Sequence, residues 1–223
     1  MSQPKRIFIS ADHGLAVVYF LQSDLVATLL DAGIEIILFT DEALQESLKA
    51  RFARPGLTIE GLRLDQARHY ERTVSPSLQW WLHFLRRAGA SSRINLEAVD
   101  GFISQVEDEA HARRKQLFPL MQAVVAIMRR SRLARRIVMR AQARFNPALY
   151  ADLFEKYQPA LVVAATPGWR YDRFLLREAA ERGVQTAAMI VGWDNSSSYS
   201  LPGANVDWAS CWSELQKEAL TLG

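Results

Sequence analysis

The feature that most constrains the fold is a strand–helix alternation that occupies both ends of the chain and lapses in the middle. Arg6–Ser10 is a short β-branched and aromatic run, followed by the turn Ala11-Asp12-His13-Gly14. Apolar residues then recur at helical spacing from Leu15 to Ala32, and Gly33 is placed to stop that helix in a left-handed conformation. Ile34–Thr40 is almost continuously apolar, the mark of a strand covered on both faces. Asp41 can cap a helix running to about Phe52, because its carboxylate can accept the unpaired N–H groups of a first turn. A third strand is expected within Leu57–Leu64.

Alternation resumes near residue 146. Asn146-Pro147 is expected to cap and open a helix to Tyr157, which Pro159 closes before a buried strand at Leu161–Ala165. Thr166-Pro167-Gly168-Trp169 turns into a helix from Arg170 to Arg182, with Gly183 as its stop, and Thr186–Val191 is a further core strand. A last short strand around Trp208–Trp212 leads into another helix. Strand–helix units at this spacing predict an α/β, three-layer, doubly wound domain with a parallel sheet. The span from about 65 to 145 carries little strand signal and is too long for a loop, so it predicts a helical insertion. Its apolar positions Leu78, Trp81, Leu82 and Leu85, and Leu117, Leu120, Met121, Val124 and Met128, recur at helical spacing.

The 223 residues are ample for a substantial core. The single cysteine, Cys211, rules out an intrachain disulfide framework and fits a reducing, cytoplasmic setting. Its place in the Trp208–Trp212 run predicts a small buried hydrophobe rather than a nucleophile. The first residues read straight into a strand, with no secretory-leader pattern, and no apolar run approaches the roughly 20 residues of a membrane-spanning helix.

In open parallel sheets, ligands bind beyond the carboxyl ends of the strands. That rule selects the loops 11–14, 166–169 and 192–200. His13 is the sharpest candidate there, since an imidazole titrates near neutrality and can take a proton from a hydroxyl. Asp12 is its candidate orienting partner, although neighbouring side chains often diverge and Asp12 could simply cap the helix. Gly14 and Gly168 would let a phosphate or sugar approach a helix N-terminus, and Thr166 lies beside the second of these. Trp193, Asp194, Asn195 and Ser196 could contact a polar ligand, with the indole as a stacking face for a sugar ring; a plain tight turn is the alternative. Gly-x-Gly-x-x-Gly, Gly-x4-Gly-Lys-Ser/Thr and Gly-x-Ser-x-Gly are all absent, as is metal-ligand spacing among the histidines and Cys211, so no metal is expected.

Ten Lys or Arg residues and no acid lie between His111 and Arg144, so the remainder of the chain is net acidic. Arg129, Arg132, Arg136 and Arg140 follow one helical face, away from Leu133, Ile137 and Met139. Three readings remain open. They are an anionic membrane surface, which leads, a solvated helix face, and nucleic acid, for which no recognised motif speaks.

Taken together, Arg6-Ile-Phe-Ile-Ser-Ala-Asp-His-Gly14, Ile190-Val-Gly-Trp-Asp-Asn195 and Trp212-Ser-Glu-Leu-Gln-Lys-Glu218 resemble the N-terminal half of GT-B glycosyltransferase-like proteins. The resemblance lies near CDP-glycerol glycerophosphotransferases and UDP-N-acetylglucosamine 2-epimerases. It covers roughly 1–64 and 146–223 and leaves the helical middle aside. It implies a Rossmann-like acceptor-side domain facing a C-terminal donor-binding domain that is expected to lie outside this chain. The donor would be a nucleotide-activated sugar or CDP-glycerol, and the acceptor a surface polysaccharide or lipid-linked sugar. No cofactor is expected in this half. In some such transferases a histidine after the first strand is the base, a position His13 matches. The rival expectations are half of a sugar-nucleotide epimerase, or a non-enzymatic domain binding the inner membrane face.

Overall fold

The computed structural model describes residues 5–192 and 198–222. The first elements are β1 (Arg6–Ser10), α1 (Gly14–Leu21), α2 (Asp24–Asp31), β2 (Glu35–Thr40), α3 (Glu42–Phe52), β3 (Leu57–Gly61) and α4 (Leu64–Thr73). Helices α5 (Pro76–Ala88), α6 (Glu97–Glu109), α7 (Ala112–Lys115), α8 (Phe118–Arg130) and α9 (Arg132–Ala143) follow. The chain continues through α10 (Ala151–Tyr157), β4 (Leu161–Ala164), α11 (Asp172–Glu181), β5 (Gln185–Met189), β6 (Trp208–Ser210) and α12 (Glu214–Leu222). It forms two compact units. A sheet unit is built from 1–74, 146–191 and 204–210, and a helical unit from 75–145, 192–203 and 211–223.

The sheet unit is an α/β, Rossmann-like, three-layer domain. All its described strands are parallel, in the order β3-β2-β1-β4-β5-β6. Side chains alternate across the pleat, so successive residues of one run feed opposite cores. Phe8, Ile37, Phe39, Val162 and Ala164 pack with α4, α10 and α11. Ile9, Ile36, Leu38 and Ile59 pack with α1, α2 and α3. Two covered faces explain the unbroken apolar runs. Gly33, at φ 76°, and Asp41, whose Oδ1 accepts the Ala43 N–H at 2.9 Å, act as expected.

Three local expectations are corrected here. The Leu15–Ala32 segment is two helices, because the Ser23 hydroxyl bonds back to the Tyr19 carbonyl and accepts the Leu25 N–H, starting α2 at a 45° bend. Asn146-Pro147 does not open a helix. Ala148 takes a left-handed φ of 48° and α10 starts only at Ala151, while the Asn146 amide donates to Glu181 at 2.7 Å. Cys211 lies past the end of β6 and is exposed, its Sγ near the Ser213 carbonyl.

The helical stretch after β3 starts with α4, which packs against the sheet through Leu64 and Ala67. The separate helical unit therefore begins near residue 75. Its core centres on Phe84, edge-on to Trp81 and Phe118, with Val99, Val125 and Met128 around it. Of the apolar positions at helical spacing, Leu78 on α5 is exposed, and so are Leu117 and Leu120, because the larger Phe118 takes the buried position at the start of α8. Arg86 is fully buried. Its Nη1 donates to the Leu201 carbonyl at 2.6 Å, and the Ser200 hydroxyl donates to the Arg86 carbonyl at 3.2 Å, fastening the 198–203 stretch onto α5. Ser131 separates α8 from α9, its Oγ accepting the Ala134 N–H at 3.2 Å. Among the described residues no single helix is long and apolar enough to cross a membrane.

Candidate functional site

The order of the sheet fixes where a ligand can sit. β1, β2 and β3 step outward in one direction, and β4, β5 and β6 in the other, so the strand order reverses between β1 and β4. In open sheets of this kind, ligands bind at the carboxyl ends beside such a reversal, where the loops leaving neighbouring strands diverge. β1 is followed by Ala11–His13, and β4 by Ala165–Tyr171. The Ala165 N–H donates to the Ser10 carbonyl at 3.2 Å, holding the roots of the two loops together.

Four side chains converge at this reversal. Asp12 Oδ1 lies 2.6 Å from His13 Nδ1, and Asp12 Oδ2 accepts from Arg170 Nε at 3.0 Å. The Asp12 side chain is 2% exposed, against 23% for His13 and 45% for Arg170. One buried carboxylate thus carries an imidazole on one oxygen and a guanidinium on the other, and both of those groups are more exposed than the carboxylate that holds them. Asp12 does not cap α1, whose N-cap residue, His13, makes no side-chain cap bond either.

Asp172 is the fourth group. Its Oδ2 accepts from the Thr166 hydroxyl at 2.6 Å, and its Oδ1 from the Arg170 N–H at 3.2 Å. Burial, reinforced by the nearby negative charge of Asp12, pushes its carboxyl up to about 7. Thr166 Oγ also accepts the Trp169 N–H at 3.0 Å. Its hydroxyl is committed to shaping the turn rather than to a ligand. Gly168 has a φ of 79°, where a side chain would be strained, so its glycine serves the turn. Gly14 differs. Nothing lies within 4 Å of where its Cβ would be, leaving open space at the start of α1 beside His13.

Trp193, Asp194, Asn195 and Ser196 lie outside the described residues. Of the basic set, Arg129 belongs to α8. It pairs with Asp100 at 2.6 Å and donates to the Ala88 carbonyl, so it does not share a face with the others. Arg132, Arg136 and Arg140 are exposed on α9, next to exposed Leu133 and Ile137. Among the described residues no group of three His, Cys, Asp or Glu side chains could hold a metal ion.

Arg170 and Asp172 were not singled out from the sequence. Arg170 follows the Pro167-Gly168-Trp169 turn, and Asp172 stands two residues before the apolar run of α11, within the first turn of the helix expected from Arg170. Their importance comes from a contact 158 residues away in the chain, which local pattern does not encode. No family model and no curated protein matches this chain, so the functional reading rests on the geometry of the site and the character of its residues.

As chemistry, a carboxylate–imidazole pair such as Asp12–His13 can accept a proton. A carboxylate that accepts Nδ1–H fixes the tautomer in which Nε2 bears the lone pair, and it stabilises the imidazolium once Nε2 has taken a proton. Arg170 balances the second oxygen of Asp12, so the buried carboxylate is paired rather than isolated.

Proposed function

We propose that the sheet unit is the acceptor-binding half of a GT-B-type transferase, using a nucleotide-activated sugar or CDP-glycerol and acting on a surface polysaccharide or lipid-linked acceptor. The observation that carries this reading is the Asp12–His13 pair at the reversal of strand order, with Asp12 buried and clamped by Arg170. The likeness of the terminal segments to GT-B proteins supports it. The acceptor hydroxyl lies against His13 Nε2 in the open space over Gly14. Nε2 takes its proton as the oxygen attacks the anomeric carbon, or the phosphorus of CDP-glycerol, and the nucleoside phosphate leaves with the bonding pair. Asp12 holds the imidazolium until the proton is released to water. The donor is held by a second domain, the counterpart that the resemblance implies.

The test is an assay of the complete protein against nucleotide sugars and CDP-glycerol, each with glycan and lipid-linked acceptors. Acceptor-dependent release of nucleoside phosphate is the expected result. Donor epimerisation without transfer would replace this reading with the epimerase one.

We further propose that α9 rests on the inner, anionic face of a membrane, bringing the enzyme to its acceptor. Its outward face combines Arg132, Arg136 and Arg140 with Leu133, 66% exposed, and Ile137, 56% exposed. Basic residues at an anionic surface contribute about 1 kcal/mol each. Replacing all three arginines by glutamine should therefore weaken binding to phosphatidylserine vesicles by about a hundredfold in a sedimentation assay. Unchanged sedimentation would remove the membrane role.

A further inference from the structure

The helical unit contains a cavity of about 400 Å³, within the roughly 300–1,000 Å³ typical of ligand pockets. Its apolar wall is formed by Phe84 and Val125, both buried, with Ile103 and Ala126. Its polar side is uneven. Gln122 Nε2 donates to Glu107 at 3.0 Å, the Ser92 hydroxyl bonds to the Arg129 carbonyl at 3.4 Å, and the Arg129 guanidinium is matched by Asp100. Arg130 is the exception. It is exposed at the rim, and no ion pair of Arg130 is found among the described residues.

A compartment with an apolar wall and one unmatched cation at its mouth is complementary to one class of molecule, an amphiphile with a hydrocarbon chain and an anionic head. We infer that this cavity binds a single anionic lipid, its chain against Phe84, Ile103 and Val125 and its phosphate on Arg130. One observation favours a phosphate-headed lipid over other occupants. Arg130 is followed in the chain, across Ser131, by Arg132, the first of the exposed basic residues of α9. Removing methylenes from water is favourable, so the chain supplies affinity and Arg130 supplies selectivity. The proposal stands on the helical unit alone and does not depend on transfer chemistry.

The test is isothermal titration of the whole chain with lysophosphatidate, kept below its micelle concentration so that no membrane is present. Saturable one-to-one binding is expected. The monoacylglycerol of the same chain length should bind about tenfold more weakly or worse, since it lacks the charge-assisted bond, and inorganic phosphate should show no heat. Ala126→Trp, which fills the cavity from its half-exposed edge, should abolish lysophosphatidate binding. Arg130→Gln, at an exposed site that leaves the core intact, should weaken it about tenfold. Thermal melts establish that both variants fold; should Ala126→Trp not fold, the head-group comparison and Arg130→Gln decide alone. Binding unaffected by Arg130→Gln, equal binding of the neutral lipid, or full binding by folded Ala126→Trp would each overturn the assignment. Replacing Arg132, Arg136 and Arg140 separates this site from the α9 surface. Loss of vesicle binding with monomeric lipid binding intact supports the cavity, and loss of both overturns it as an independent site.

Discussion

Replacing His13 by alanine should lower transfer by the complete protein about 10²- to 10⁴-fold while leaving donor affinity unchanged. The magnitude is that of a positioned general base, and the separation of the two effects follows from location. His13 lies in the sheet unit, apart from the second domain proposed to hold the donor, and is 23% exposed, with Nδ1 engaged by Asp12. Asp12→Asn should reduce turnover in the same direction. An asparagine side chain can present N–H rather than oxygen to Nδ1, and it offers no charge to an imidazolium. It also leaves Arg170 Nε without its carboxylate. The measurement is steady-state release of nucleoside phosphate, with donor binding followed separately by calorimetry. Wild-type turnover in His13→Ala would reduce the pair to a feature of the turn. Parallel loss of turnover and donor binding would show that the loop was disrupted as a whole.

The second large effect is on stability. Asp172 is fully buried, and its carboxyl is raised from 3.8 to about 7, first by burial and then by Asp12. A group whose folded pKa exceeds its unfolded value favours the fold most when protonated. Its contribution is complete below pH 3.8 and is lost as pH rises through about 7. At about 1.4 kcal/mol per pH unit, that interval amounts to on the order of 4 kcal/mol. Asp172→Asn removes the titration but keeps the geometry. The amide oxygen can still accept the Arg170 N–H, and the amide nitrogen can donate to Thr166 Oγ. In urea titrations between about pH 4.5 and pH 7.5, the wild type should lose stability with rising pH relative to the variant, with most of the gap opening before neutrality. Parallel profiles would mean that Asp172 titrates normally.

Much of the sheet unit was legible because its strands are covered on both faces and so read as unbroken apolar runs. Runs such as Ile34–Thr40 and Leu161–Ala165 needed no long-range knowledge, and neither did the stops at Gly33 and Gly183. What failed was local competition. Ser23 interrupts an apolar periodicity that continues through it, because a side-chain bond to the Tyr19 carbonyl outweighs spacing. Leu120 and Phe118 offered two phases for one helix, and burial of the larger ring selected between them. At the site, the position of Asp12 and His13 followed from the rule about carboxyl ends. Their partners did not, because Arg170 is joined to Asp12 only when β4 is laid beside β1. Arg86 escaped notice for a similar reason, since the Leu201 carbonyl that meets this buried arginine lies 115 residues away in the chain.

The way the two units share the chain bears on their assembly during translation. The helical core waits for Leu201, and its last helix is joined through Gln216 to the Gly192 carbonyl. The sheet waits for Asp207, which receives the Thr186 N–H and hydroxyl beside β6. Neither body can close on a nascent polypeptide until residues beyond about 200 have left the ribosome. Ribosome-bound intermediates halted before residue 200 should expose apolar surface from both bodies and depend on chaperones, unlike domains that mature one after another from the amino end.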